Sequence, residues 1–274
     1  PPPLPLPSPK IGRGEGARGR DEGASPACLA TAIFAAFPFA YQAIAWPGAV
    51  YNPLVSAMAA GALLAYERGR RGHGSGWIGL ALVLALLSAF TYEAGLLVGP
   101  LIVLAELVGW LERRWGRRLS AWPLAFAGLF IATMLIWRAM RGVGAIGFGL
   151  GLTDLRRNVG YLVQGLIYPT APLAQWLTRC ALNPEIALWL IALPTVVLLA
   201  WSGLRRQRGA FLLGAGWFVL FALPPLISME ADWFALAPRF LYMTAGGIAL
   251  VWAAAASTWL ARLQPNWRIP AMMA

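Results

Sequence analysis

A chain of 274 residues that is 59% hydrophobic and only 12% charged, with a mean hydropathy of +0.64, is not a soluble domain, in which about a quarter of residues carry charge. Its net charge of +11 comes largely from short arginine clusters between apolar runs, which speaks for membrane topology and against nucleic acid. Two cysteines without a CxxC pair and a single His73 support neither a zinc site nor a disulfide framework; no cofactor is identified and a divalent-metal requirement stays open.

Residues 1–26 are rich in Pro, Gly and charge and cannot bury a core, so a disordered tail is expected there. The tail lacks the apolar stretch of a signal peptide. A transmembrane domain is expected over 27–262, with apolar segments at about 28–46, 49–66, 77–92, 96–111, 121–138, 186–203, 210–228 and 239–260. A run near 18 residues crosses a hydrocarbon layer of about 30 Å as a helix. The runs are continuous rather than alternating, which favours helices over a barrel. The expected fold class is all-α, a polytopic transmembrane helical bundle of about eight spans.

Arg68, Arg70 and Arg71 fall in one loop, Arg113, Arg114, Arg117 and Arg118 in the next but one, and Arg205, Arg206 and Arg208 in another. These loops alternate so that all can be cytoplasmic, together with both termini and a short tail at 263–274, in a bacterial plasma membrane. Asp154, Glu185, Glu230 and Asp232 then face outward. The external segment 139–185 holds "LRRNVGYLVQGLIYPTAPLAQWL", where Arg156 and Arg157 precede aromatic and aliphatic residues. It reads as an amphipathic stretch along the outer interface. "GVGAIG", Gly142 to Gly147, matches GxGxxG by letter but follows a span instead of a strand, so a flexible loop is expected and not a dinucleotide site. Cys28 and Cys180 read as small apolar residues on opposite sides, too far apart for a disulfide.

The run from Trp77 to Trp110 has about 34 residues and would be roughly 51 Å long as one helix. It must break, and Ser88 to Gly95 is its only polar cluster containing a glycine. Tyr92 and Glu93 of "TYEAG" then sit at the external end of two antiparallel spans. A carboxylate there either accepts hydrogen bonds from a substrate or clamps a neighbouring helix end. Glu106 is expected to pair with Arg113 and Arg114 or with a neighbouring helix. Arg239, at the start of the last span, either snorkels to the interface with Tyr242 or holds an anionic headgroup through two-pronged hydrogen bonds. Gly246 and Gly247 allow close helix packing.

Three stretches carry a family resemblance. "FPFAYQAIAW", Phe37 to Trp46, resembles the HPxxxEAVAW segment of O-mannosyltransferase-like members of the GT-C glycosyltransferase superfamily, including those with tetratricopeptide repeats. "ALLSAFTYEAGLLVGPLIVLAEL" is similar to their LALLSKExxxxxPLLLLLYDL, and "PRFLYMTAGGIAL" to their ERYLYLPSVGxAL. The order and spacing cover about Ile33 to Val251. The resemblance implies a GT-C-like fold and transfer of a sugar from a polyprenyl-phosphate donor to an acceptor outside the cytoplasm. It implies that Arg239 contacts the lipid phosphate with Tyr242 beside it, and that Glu93, Tyr92 and Gln42 contact substrate on the external face.

The sequence departs from that pattern at three places: the family's His is Phe37, its Glu is Gln42, and the Lys before its second Glu is Tyr92. A neutral amide hydrogen-bonds a sugar hydroxyl but is no base. The family's catalytic acid lies in a first external loop that would precede Ile33, where the Pro/Gly-rich tail stands. The chain is therefore expected to be a fragment or mis-started reading frame of such an enzyme. An upstream frame encoding a span and an acidic loop is the test. The rival expectation is a non-enzymatic membrane protein, a lipid or small-solute carrier or a scaffold subunit, marked by ionisable residues or broken helices near mid-membrane.

Overall fold

The computed structural model describes residues 26–38, 43, 49–114, 120–141, 151–232 and 238–261. The tail through residue 25, Gln42, Arg117, Arg118, Gly142 to Gly147 and the segment 263–274 lie outside the described residues. Among the described residues there is no strand, and ten α-helices run in the order α1 (Pro26–Ala35), α2 (Tyr51–Arg70), α3 (Ser75–Thr91), α4 (Val98–Leu111), α5 (Trp122–Arg141), α6 (Leu152–Leu166), α7 (Ala171–Arg179), α8 (Pro184–Arg206), α9 (Arg208–Ser228) and α10 (Tyr242–Leu260).

Among the described residues, five stretches are long and apolar enough to cross a membrane: Glu93–Leu111, Trp122–Met140, Pro184–Arg206, Arg208–Ser228 and Arg239–Leu260. The protein is accordingly an all-helical, multi-pass membrane protein. Of the eight expected segments, 49–66 and 77–92 fall short of that standard, 28–46 lies partly outside the described residues, and the other five meet it. Helices α1 and α3 are apolar but only 10 and 17 residues long. Helix α2 has 20 residues, but Asn52, Glu67, Arg68 and Arg70 dilute its apolar character.

Helix α10 is the central post, packed by α9, α1, α8 and α2. Its crossing with α9 is backbone to backbone: a Cβ added at Gly247 would lie 2.5 Å from the Gly214 carbonyl oxygen. Only glycine on both helices allows that approach. The Trp217 indole N–H then donates to the Met243 carbonyl at 2.9 Å, fixing the register.

Helices α2 and α3 form an antiparallel hairpin whose turn holds Gly72 and Gly74 at positive φ, +87° and +106°, a conformation that costs glycine little. At this end of the bundle Glu106 of α4 is 1% exposed. It accepts from the Tyr66 hydroxyl at 2.9 Å, from Arg70 at 3.0 and 2.9 Å, and from the Ser120 backbone N–H at 3.0 Å. Of the two expectations for Glu106, the pair with a neighbouring helix is the one found. All these partners together make a buried carboxylate tolerable.

Helices α6 and α7 depart from expectation most. The Leu166 carbonyl, at the last turn of α6, accepts from the Trp252 indole N–H at 2.7 Å, and Gly165 lies against Leu241 and Ile248 of the central post. The turn that follows, Tyr168–Thr170, meets the middle of α8, where the Thr170 and Thr195 hydroxyls are 3.3 Å apart. Thr195 stands roughly 16 Å along α8 from its start, about half a hydrocarbon layer. Helix α7 then runs back beside α8 to Asn183, whose side-chain oxygen caps α8 by accepting from the Glu185 N–H at 2.9 Å. The two helices thus form a hairpin that enters and leaves at one end of the bundle. Its apex is partly enclosed: Ile167 is fully buried, Tyr168 and Thr170 are half-buried and Pro169 is exposed, while the Thr170 N–H donates to the Ile167 carbonyl at 2.7 Å and the Tyr168 hydroxyl donates to the Ile33 carbonyl at 2.7 Å. Irregular backbone at such depth requires that enclosure. In this stretch, expected to lie along an interface, Leu162, Gly165, Ile167 and Ala174 are buried against neighbouring helices while Leu152, Leu173 and Trp176 stay exposed.

Candidate functional site

The long apolar run breaks where its length demanded. Helix α3 stops at Thr91, a 3-10 turn spans Glu93–Leu97, and α4 begins at Val98. The reversal is tight enough that the Gly95 N–H donates to the Tyr92 carbonyl at 2.8 Å, while the Ser88 hydroxyl donates to the Gly95 carbonyl at 3.0 Å. A Cβ on Gly95 would lie 1.9 Å from the Ser88 carbonyl oxygen, so glycine alone fits. The turn leaves the Glu93 side chain exposed and lays the Tyr92 ring 4.3 Å from that of Tyr51, in the first turn of α2. From α5, the Trp137 indole N–H donates to the Ala89 carbonyl at 2.9 Å, holding the last turn of α3.

Arg239 sits in a 3-10 turn, Pro238–Leu241, that leads into α10. It is half-buried, with its guanidinium carbon 5.2 Å from the Phe240 ring centroid. Tyr242 is only 6% exposed and meets the Phe34 ring edge-on at 5.5 Å. Its ring therefore packs the start of α10 and is not displayed at the surface. The next residue, Met243, accepts from the Ser56 hydroxyl of α2 at 3.4 Å and shares one apolar cluster with Tyr92. The fold thus brings the turn of Tyr92 and Glu93 and the turn of Arg239 to the same end of the bundle, on two sides of α2. Gln42 is outside the described residues.

The acids grouped by the sequence as outward-facing are at this end too, and two of them are paired. Arg156 makes a two-pronged bridge to Glu185, with Nε to Oε1 at 2.8 Å and Nη2 to Oε2. Arg157 contacts Asp232 at 2.7 Å. The hydrogen bond to Glu185 raises the Arg156 pKa, and that to Asp232 raises the Arg157 pKa, so both guanidiniums stay charged. Asp154 accepts from the Ala231 N–H at 3.2 Å, and the buried Asn158 side chain donates to the Met229 carbonyl at 2.7 Å. These contacts fasten α6 to the start of α8 and to residues 229–232, just past the end of α9. Sequence reasoning found the residues but not the pairs, which join positions 29 and 75 residues apart.

A cavity of about 710 Å³ opens between the first turns of α6 and α8, beside Arg156, Arg157 and Glu185. A second, of about 490 Å³, shares Arg156, Glu185 and Trp189 and continues down α8 past Leu193. Among the described residues, no group of three or more His, Cys, Asp or Glu could hold a metal ion.

No family model, curated protein or solved structure matches the chain. The chemistry on offer is that of the residues above: a half-buried arginine and an exposed carboxylate near one end of an apolar bundle, and a pair of bridged arginines lining a groove beside them.

Proposed function

We propose that the protein is a membrane glycosyltransferase of the GT-C kind, or a part of one, moving a sugar from a polyprenyl-phosphate donor to an acceptor on the external face of a bacterial plasma membrane. Arg239 holds the donor phosphate, Tyr242 fixes the start of α10 and with it Arg239, and Tyr92, Glu93 and Gln42 meet the sugar or the acceptor. The observation that supports this reading is the common placement of the Arg239 turn and the Glu93 turn, at the end opposite Arg70 and Glu106. A carboxylate deprotonates the acceptor hydroxyl as its oxygen bonds to the anomeric carbon. The bond from that carbon to phosphate breaks, and arginine stabilises the charge on the leaving phosphate. The identity of that carboxylate is not assigned to a residue of this chain.

Detergent-solubilised protein offered a radiolabelled polyprenyl-phosphate sugar tests the reading. Retained label that falls at least about tenfold in Arg239→Ala, as loss of a charge-assisted phosphate contact predicts, supports it. No retention by the unaltered protein overturns it.

A second reading, a lipid or small-solute carrier, draws support from the α6–α7 hairpin, because broken helices reaching mid-depth are how carriers build sites within a membrane. Proteoliposomes containing the labelled lipid distinguish the two. Protein-dependent movement between leaflets without sugar transfer favours the carrier.

A further inference from the structure

The groove between α6 and α8 is not lined by Arg239 and has a different chemistry from the Arg239 turn. Its two cavities are neighbours that share Arg156, Glu185 and Trp189, the larger lying between α6 and α8 at the charged end and the smaller along the apolar face of α8. At the charged end Gly160 keeps the α6 wall low, the nearest atom to an added Cβ being Leu188 Cδ2 at 3.9 Å. Below it, Ile186, Leu190 and Leu193 form a stripe on one face of α8, at 55%, 55% and 60% exposure. Their spacing of four and then three residues keeps them on that face, and Leu193 lies roughly 12 Å beyond Glu185 along the helix. That length suits the upper part of an acyl chain in one leaflet.

The charges decide the headgroup. Arg156 is bridged by Glu185 inside the groove, and Arg157 is neutralised by Asp232 from outside it, so the four side chains sum to zero. An anionic headgroup gains no net field here and competes with two carboxylates for the guanidiniums. A zwitterionic headgroup competes with neither. Each guanidinium has five N–H donors, and the bridge to Glu185 uses two of those on Arg156. The remaining donors face a phosphate, while Glu185, with acceptor sites left on both oxygens, faces an ammonium group. A primary ammonium donates hydrogen bonds to that carboxylate and a quaternary one does not. Trp189 stands where the polar and apolar ends meet, the position an indole takes at a membrane interface.

We infer that this groove binds a zwitterionic phospholipid with a primary-amine headgroup, phosphatidylethanolamine being the simplest, with phosphate on Arg156 and Arg157, ammonium on Glu185 and one acyl chain along Ile186, Leu190 and Leu193. The inference is independent of sugar transfer.

Native mass spectrometry of the full chain, released from micelles holding equal amounts of phosphatidylethanolamine, phosphatidylglycerol and phosphatidylcholine, tests it. Phosphatidylethanolamine is retained over each of the others by about tenfold, as one additional charge-assisted hydrogen bond gives. Glu185→Gln brings it down to the phosphatidylcholine level and leaves phosphatidylcholine unchanged. Arg156→Gln combined with Arg157→Gln lowers retention of both phosphatidylethanolamine and phosphatidylcholine. Leu193→Trp, an exposed change that fills the apolar end without touching the ion pairs, lowers retention of all three lipids and serves as the test where the double variant does not fold. Phosphatidylglycerol retained as well as or better than phosphatidylethanolamine overturns the headgroup assignment in the unaltered protein, whatever the variants do. Retention that survives both the arginine double variant and Leu193→Trp overturns the site. Arg239→Ala leaves the preference intact, so failure here and failure of the sugar-donor reading are separate results.

Discussion

Gly95 and Glu106 show how single residues set the two ends of the bundle. At Gly95 a methyl group would meet the Ser88 carbonyl oxygen at 1.9 Å, and backbone cannot rotate aside as a side chain can. Gly95→Ala is therefore expected to destabilise by at least about 1–3 kcal/mol, the cost of overpacking. Gly128→Ala, with nothing within 4 Å, is expected to be neutral or to stabilise by up to about 1 kcal/mol through helix propensity. Denaturant unfolding in detergent compares the two. At the other end, Glu106→Leu strands the half-buried Arg70 guanidinium, the Tyr66 hydroxyl and the Ser120 N–H, with a cost of up to about 3–5 kcal/mol. Adding Arg70→Met recovers much of it, and a double-mutant cycle reads the difference. The sequence located the break near Gly95 because helix length alone required one. The Arg70 partner of Glu106, 36 residues away, was one of many possible because neither spacing nor periodicity encodes a contact between helices.

Among the elements, α8, α9 and α10 were legible as spans, since each combines more than 18 residues with continuous apolar character. Helix α2 was legible as a helix, but not as one whose polar residues Asn52, Ser56 and Tyr66 are buried against neighbours. The α6–α7 hairpin was read as lying on a surface because amphipathic periodicity is identical whether the apolar face meets lipid headgroups or a protein wall. What distinguishes the two is a set of contacts at its apex. Trp252→Phe removes the donor to the Leu166 carbonyl and keeps an aromatic ring in place. It is expected to cost about 1–3 kcal/mol for the carbonyl left unsatisfied and to increase proteolysis at the 168–170 turn before the bundle as a whole unfolds.

At the scale of the molecule, the two ends differ in charge chemistry. Arg68, Arg70 and Arg71 close α2 beside the Glu106 cluster, and Arg205, Arg206 and Arg208 lie between the end of α8 and the start of α9; with Arg70 bridged to Glu106 and Arg71 to Glu67, the arginines at this end still outnumber those acids. At the other, Arg156 and Arg157 are matched by Glu185 and Asp232, next to the turns of Glu93 and Arg239. The positive-inside rule assigns the first end to the cytoplasm, and the proposed donor site and lipid groove then both open outward. That arrangement needs the α6–α7 hairpin to enter and leave on one side. Labelling with a membrane-impermeant maleimide tests it directly, in single-cysteine chains carrying the native exposed Cys180, Gly151→Cys or His73→Cys. The predicted result is that positions 151 and 180 react from the same side and position 73 from the other. Reaction of 151 and 180 from opposite sides, or of 73 and 180 from one side, would contradict it.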